Sequence, residues 1–322
     1  MDGRLSLGEI GERGVIREIR SLYNYSFDND DCAAIECGNR LILLTTDSIN
    51  RRSHIPDGAT PATIGRFFAA VNLSDIAAMG GKPLYFMTAL ELERDTEMKW
   101  VREFEKGMKH MLDRYGVRLA GGDTKEGDVL SMAGFGVGEV EKRRALRRRN
   151  CREGDVIYVT GTLGKNAAAY YMWKKFKDRR WALKMLDVEP KINEGLFLSR
   201  TGATSAIDLS DGLFASVKQL SEASGVGMLL NYNKLPIDRA AVYASKLCNK
   251  DTMHIACGIG GEYELLVGVP RSRAAKLEAE AARRGIAITR IGIARGKRCT
   301  IETDDGVEEI EEGGYEHFSD VG

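Results

Sequence analysis

The chain has 322 residues, a length that suggests two domains or one large one. Its 47 Lys+Arg balance 47 Asp+Glu, which excludes both a global basic field for a nucleic acid and an acidic tail. With 43% hydrophobic and 29% charged residues it is neither collagen, nor a disulfide miniprotein, nor a disordered chain, and its longest apolar runs are strand-sized, far short of the roughly 20 residues of a membrane helix.

The N-terminus, MDGRLSLGEIGERG, is charged and lacks the apolar stretch of a signal peptide, which predicts a cytoplasmic protein. Residues 6–27 carry helical spacing (Ile10, Val15, Ile16, Ile19, Leu22) and lead to the polar loop SFDNDD. AAIEC (33–37) and LILLTT (41–46) predict a strand pair turning at Gly38-Asn39. Pro61 opens an apolar helix over 61–79. A strand follows over 83–92, then an amphipathic helix over 96–115, a short strand over 117–120 ending at Gly121-Gly122-Asp123, and a strand over 129–140. In KRRALRRRN (142–150) six of nine residues are Lys or Arg, and the run reads as a solvated connector.

Beyond it the pattern restarts. A strand over 156–160 feeds a glycine turn and a helix from GTLGKNAAAYYMWKKF, and a strand over 206–209 feeds a helix ended by Gly225. Residues 256–261 form a glycine-rich turn before the strand YELLVGVP, followed by a charged helix over 271–284 and strands near 286–291 and 299–302. The expected fold class is α+β, two mixed domains of α/β type, residues 1–148 and 149–322. Six cysteines (32, 37, 151, 248, 257, 299) form no C-x-x-C pair and read as reduced, mostly buried thiols.

The aspartates are the informative feature. Asp30 and Asp31 lie in a loop before a strand, and Asp47 and Asp123 stand where apolar strands run out. Asp75 lies in NLSDIAAMG, and Asp208 and Asp211 lie in AIDLSDGL, between a strand and a helix. Taken singly, each is a cap or turn former. Together they need counter-charge, and a hard divalent cation such as Mg²⁺ satisfies several carboxylates at once, usually with substrate phosphates. Gly121, Gly122 and Gly212 let backbone amides approach such phosphates.

At these residues the sequence resembles the thiamine-monophosphate kinases, in the superfamily of aminoimidazole ribonucleotide synthetase, selenophosphate synthetase and the hydrogenase-maturation protein HypE. The matching blocks are NDDCAAI (29–35), LTTDSINRRSH (44–54), AVNLSDIAAMG (70–80), GGDT (121–124), VTGTLGKNAA (159–168), AIDLSDGL (206–213), GGEYELL (260–266) and GGYEHF (313–318). The resemblance implies an ATP- and Mg²⁺-dependent enzyme that phosphorylates thiamine monophosphate, without a catalytic base. It implies metal ligands at Asp30, Thr46, Asp47, Asp75, Asp123, Asp208 and Asp211, with Thr45 as a further oxygen. It places Gly122, Arg148 and Ser210 on ATP, and His54 and Glu262 on the thiamine phosphate, with Tyr315 lining the thiazole or pyrimidine site. It also implies a homodimer whose N-terminal sheets join across the interface, and no nucleic-acid or membrane partner. His54 as a solvated loop residue, Tyr315 as a packing anchor, Glu262 as a turn cap, and Arg147 or Arg149 in place of Arg148 are the competing assignments.

The chain departs from the family pattern at four places. Asn29 stands for a glycine; GGEYEL is one acid shorter than GGEDYEL; Glu105 stands where a tyrosine is usual; and Lys165 replaces an acid. A sister enzyme acting on another phosphorylated small molecule, or a nucleotide sensor without catalysis, are the alternatives.

Overall fold

The computed structural model describes residues 6–23, 29–311, 314, 317 and 318. The first part of the chain contains α1 (Leu7–Ser21), β1 (Ala33–Cys37), β2 (Arg40–Asn50), α2 (Pro61–Ala78), β3 (Lys82–Leu92), α3 (Met98–Arg114), β4 (Arg118–Glu126) and β5 (Ser131–Glu141). The second contains β6 (Val156–Thr160), α4 (Lys165–Phe176), α5 (Arg179–Met185), α6 (Ile192–Thr201), β7 (Ser205–Asp208), α7 (Leu213–Ser224) and β8 (Met228–Asn231). It continues with α8 (Arg239–Cys248), α9 (Thr252–Cys257), β9 (Leu265–Val269), α10 (Arg271–Arg284), β10 (Ile288–Ala294), β11 (Thr300–Thr303) and β12 (Gly306–Glu309).

The N-terminal strands form a five-stranded sheet in the order β1-β2-β5-β3-β4, antiparallel except for the β3–β4 pair. Alternating side chains of β2 and β5 point to one face, which α2 and α3 cover. Gly134, Gly136 and Gly138 open a lane on that face. A Cβ at Gly134 would lie 2.5 Å from the Asn72 amide, and one at Gly138 would lie 2.7 Å from Ile76 Cγ2. α2 therefore lies close against the sheet. It starts as predicted, with Pro61 in its first turn and Thr60 Oγ1 accepting the Thr63 N–H at 3.2 Å. It is apolar on nearly every side because the sheet, α3 and, from the second half of the chain, α6 and β7 all pack on it.

The C-terminal strands form a seven-stranded sheet, β12-β11-β8-β10-β6-β9-β7. Every residue of β6 is buried: Ile157 and Val159 pack with Val217 and Leu220 of α7, while Val156 and Tyr158 pack with Leu277 of α10 and Leu198 of α6. Helices thus cover both faces of its centre.

The structure departs from expectation at three places. The strand expected to stop at residue 120 runs on through the glycines to Glu126, because parallel pairing with β3 continues from Met87↔Gly121 to Leu92↔Glu126. The basic run is two 3₁₀ turns, and Arg147 and Arg148 are largely buried in ion pairs rather than solvated. The helices α5, α6, α8 and α9 and the strands β8 and β12 fall where no element was read. The two strands have only four residues each, too short for alternation to register.

The α2–α3 crossing depends on two glycines. A Cβ on Gly65 would lie 2.1 Å from Phe104 O, and one on Gly107 would lie 1.9 Å from Ala62 O, so backbone meets backbone and neither side can yield. Gly107→Ala should therefore lower the unfolding free energy by about 1–3 kcal/mol, read as a lower urea midpoint at unchanged slope. An unchanged midpoint would show that the helices separate freely.

Candidate active site

Two strands, one helix and two loops deliver acidic side chains to a single cavity of about 570 Å³ between the two halves of the chain; Asp47, expected at a strand end, lies inside β2 because pairing with β5 continues to Asn50. Asp47 comes from β2, whose backbone is fixed there by Asn72 of α2. The Asn72 Oδ1 accepts the Asp47 N–H at 2.9 Å, and its amide donates to Phe68 O at 3.0 Å. Asp75, on α2, accepts a hydrogen bond from Thr45 Oγ1. Asp208 ends β7 in the other half of the chain, and Ser74 of α2 donates to its Oδ2 at 2.7 Å across the seam. Asp211 follows in the turn before α7 and accepts from Gln219 at 3.4 Å. Thr46 and Ser210 line the same cavity.

Asp30 and Asp31 enter from the loop before β1 and meet the basic run. Arg147 Nη1 lies 3.0 Å from Asp30 Oδ2, and the Arg148 N–H donates to Asp30 Oδ1 at 2.8 Å. The Arg148 guanidinium grips Asp31 with two nitrogens, at 2.8 and 3.2 Å, and donates a third bond to Gln219 at 3.0 Å. Burial by itself would lower the Arg148 pKa; Asp31 foremost outweighs that and raises it. Carboxylate oxygens of Asp31, Asp75 and Asp208 lie within 4.8 Å of one another. Asp31 was not singled out as a ligand by its motif, and nothing in NDD distinguishes the two acids before the fold turns one toward Asp75.

The electrostatics follow from the crowding. Burial first, then neighbouring carboxylates, push Asp47 up to about 6 and Asp208 up to about 7, and hold Asp75 well above the carboxylate range. Asp211 is also raised, by burial and then by Glu12 of α1. Four acids crowded together and balanced by few cations form an oxygen-only donor set with hydroxyls at its rim, the chemistry of a hard divalent cation site.

The remaining sequence-predicted residues fall elsewhere. Gly122 and Asp123 lie on the exposed β4 and do not line this cavity; the Asp123 side chain is 63% exposed and lies 3.4 Å from Lys125. His54 follows β2, with Ser53 Oγ 2.7 Å from its Nδ1 and the His317 ring 5.5 Å away; burial and then His317 push it down to about 4. Glu262 lines a second, smaller pocket with Lys165 and Lys191. It sits at the N-terminus of α4 and accepts the Ala167 N–H at 3.3 Å, and burial pushes it up to about 8 against the pull of the amides. Glu105 is half-buried on α3 and raised by that burial. Tyr315 lies outside the described residues.

Two matched domains and an acid-lined seam between them define the class. Residues 29–140 match AIR synthase related protein, N-terminal domain, and residues 152–303 match AIR synthase related protein, C-terminal domain. Within that class the chain belongs to the thiamine-monophosphate kinase family. It is 31% identical to the thiamine-monophosphate kinase of Pyrococcus horikoshii over 94% of this chain and 95% of that one. It is 32% identical to that of Archaeoglobus fulgidus, over 89% and 90%. Among solved structures, AaThiL complexed with AMPPCP and TMP superposes with a TM-score of 0.87 at 28% identity, covering 98% of this chain and 100% of that chain. The HypE-HypF complex, at 23% identity and a TM-score of 0.75 over 92% and 99%, shares the fold.

The raised carboxylates make stability depend on pH in a definite direction. Asp208, near 7 in the folded chain against an ordinary 3.8, binds its proton more tightly when folded. That contribution is complete below the unfolded value and is lost as pH rises through about 7. In EDTA, the melting temperature should therefore lose this increment between about pH 4 and pH 7, and Asp208→Asn should flatten the fall. Mg²⁺ should raise the melting temperature of the unsubstituted protein most at the alkaline end. A wild-type fall that Asp208→Asn leaves unchanged would show that the cluster does not govern it.

Proposed function

We propose that this chain transfers the γ-phosphoryl group of ATP to the phosphate of thiamine monophosphate, forming ADP and thiamine diphosphate, at the cavity between its two halves. The observation that carries the reading is the enclosed set Asp31, Asp47, Asp75, Asp208 and Asp211 from both halves, within a family of thiamine-monophosphate kinases.

Joining one anionic phosphate to another is opposed by charge repulsion, so the protein's task is positioning and neutralisation. Asp30, Thr45, Thr46, Asp47, Asp75, Asp208 and Asp211 are the proposed Mg²⁺ ligands of the cavity, the juxtaposition with Asp75 and Asp208 adds Asp31, and Asp123, outside the cavity of its own chain, is proposed to join from a second copy. Mg²⁺ held there supplies charge neutralisation and polarises phosphoryl oxygens. Arg148, Ser210 and Gly122 are assigned to ATP, and His54, Glu262 and Tyr315 to thiamine monophosphate. Ser74, Asn72 and Thr45 fix the angles of the acids they bond. The acceptor phosphate is already largely ionised near neutrality, so no side chain is assigned as a base.

The working unit in this reading is a homodimer. The face of the N-terminal sheet away from α2 carries Ile35, Leu44, Phe135, Met87 and Tyr85, all large and exposed, one or two on each of β1, β2, β5 and β3. Phe135 pairs with Met87, and Leu44 stands two residues along β2 from Thr46, the partner of Phe135 on the other side. An apolar face of this extent, next to Gly122 and Asp123 on β4, suits a second copy of the same sheet. A cytoplasmic setting is supported by six free cysteines; no helix among the described residues is long and apolar enough to cross a membrane.

Purified protein with ATP, Mg²⁺ and thiamine monophosphate should form thiamine diphosphate and ADP in equal amounts, resolved by chromatography; ATP binding without turnover would instead support a sensor. Asp75→Asn should cut kcat by about 100-fold or more while the circular dichroism spectrum stays native. Met87→Lys, on the open sheet face, should shift the sedimenting species from dimer to monomer. A wild type that sediments as a monomer would sink the homodimer.

A further inference from the structure

Gln219 lines the acid cavity and is a residue that the assignments above leave unused. It stands on α7, 8 residues beyond Asp211. The Cβ bonds of a helix tilt toward its N-terminus, so side chains on one face of α7 lean back over the turn that carries the acids. Two side chains one helical turn apart use this direction. Ser216 Oγ donates to Asp208 O at 2.9 Å, and Gln219 Nε2 donates to Asp211 Oδ2 at 3.4 Å. Gln219 Oε1 meanwhile accepts from Arg148 Nη1 at 3.0 Å.

A single amide thus stands between a cation and a carboxylate, and its two ends are not interchangeable. The oxygen must face the guanidinium and the NH₂ must face Asp211, because the reverse would set donor against donor and acceptor against acceptor. Arg148 is largely committed as well. Of the five N–H donors of a guanidinium, Nε and Nη2 each give one to Asp31, and Nη1 gives one to Gln219. Among the described residues, this leaves one N–H on each terminal nitrogen for a ligand in the cavity that Arg148 lines. Asp211 lines the same cavity, and among the described residues its Oδ1 accepts no hydrogen bond.

We propose that Gln219 is a positioning residue that couples the two ligands of this cavity: its amide holds the Arg148 fork for the nucleotide phosphates and the Asp211 carboxylate for Mg²⁺. The inference rests on the phosphoryl-transfer reading and adds to it a residue that acts through its two neighbours. A neutral amide suits this place. A carboxylate there would serve Arg148 but repel Asp211, and an apolar side chain would leave both without the bond that orients them. Residues that orient metal ligands in this way govern affinity without being ligands themselves.

The test compares wild type with Gln219→Met, which keeps the length of the side chain and removes both hydrogen bonds. Mg²⁺ alone, titrated by calorimetry, should bind the Met variant about 10- to 100-fold more weakly. A non-hydrolysable ATP analogue, at saturating Mg²⁺, should weaken by about 10-fold or more. Affinity for thiamine monophosphate, with Mg²⁺ and the analogue saturating, should stay at its wild-type value. Where the enzyme turns over, KM should rise for ATP and not for thiamine monophosphate. Wild-type affinities for Mg²⁺ and the analogue overturn the proposal, as does a loss confined to one of the two. An equal loss for thiamine monophosphate marks a general loosening and overturns it too. Gln219→Glu keeps the acceptor for Arg148 and places a charge beside Asp211. It should hold Mg²⁺ at least as tightly as wild type yet bind the analogue more weakly. Unchanged analogue affinity in the Glu variant overturns the proposal even where the Met variant fails to fold. A wild type that binds Mg²⁺ and the analogue but forms no thiamine diphosphate refutes the phosphoryl-transfer reading instead, and the binding comparison still decides Gln219.

Discussion

The structure is organised around an electrostatic cost: carboxylates from distant parts of the chain are enclosed together with too few cations to neutralise them. Among the described residues, Arg147 pairs with Asp30 and Arg148 with Asp31. On Asp47, Asp75, Asp208 and Asp211, burial and neighbouring carboxylates outweigh the pull of Arg148, Arg13 and the hydrogen-bond donors, so all four are shifted upward. A fold optimised for stability alone would disperse such groups. Keeping them together makes sense when cations and phosphates complete the arrangement, so that the affinity of the site for its ligands comes from the same repulsion that weakens the empty protein.

α2 is the element that makes the gathering possible. Its apolar surround lets it serve as a shared wall, packed on one sheet through the glycine lane of β5 and touching β7 of the other. Two consecutive residues then act in opposite directions. Ser74 reaches Asp208 in the far half of the chain, while Asp75 takes its hydrogen bond from Thr45 in the near half. The basic run between the halves does a parallel job. Arg148 ties Asp31, on the loop before β1, to Gln219 on α7, and Gln219 in turn holds Asp211. Domain packing and site geometry are therefore the same set of contacts, and a shift of one half against the other would open the cluster.

Much of this was legible in the residues, and the reasons for the rest are physical. The long elements announced themselves by period: the β1–β2 hairpin, α2 with its proline, and α7 ended by Gly225 in the left-handed conformation. The acids stood out because all but Asp75 border an apolar segment. Pairing was not legible. Nothing in LAGGDTKE says that β3 will draw the strand on past its glycines, and nothing in RRRN says which arginine turns inward. The choice of Asp31 for the cluster, with Asp30 held by Arg147 and the Arg148 amide, depends on a register between two segments more than 100 residues apart, which no local pattern encodes.

The shortened GGEYEL turn shows how a local departure can be absorbed without loss of the site. With one acid fewer, the turn still has to present Glu262 to the α4 amides and Glu264 to Thr160 and Lys191, since both carboxylates are buried and need those partners. The residue between them carries the left-handed backbone of the turn. Tyr263 does so in a conformation that costs an aromatic residue about 1–3 kcal/mol. Asparagine or glycine would meet the same backbone demand more cheaply but would carry no ring to reach Phe67. The strain at this one position is thus set by the two buried acids beside it, and the side chain found there is the one whose reach makes use of that constraint.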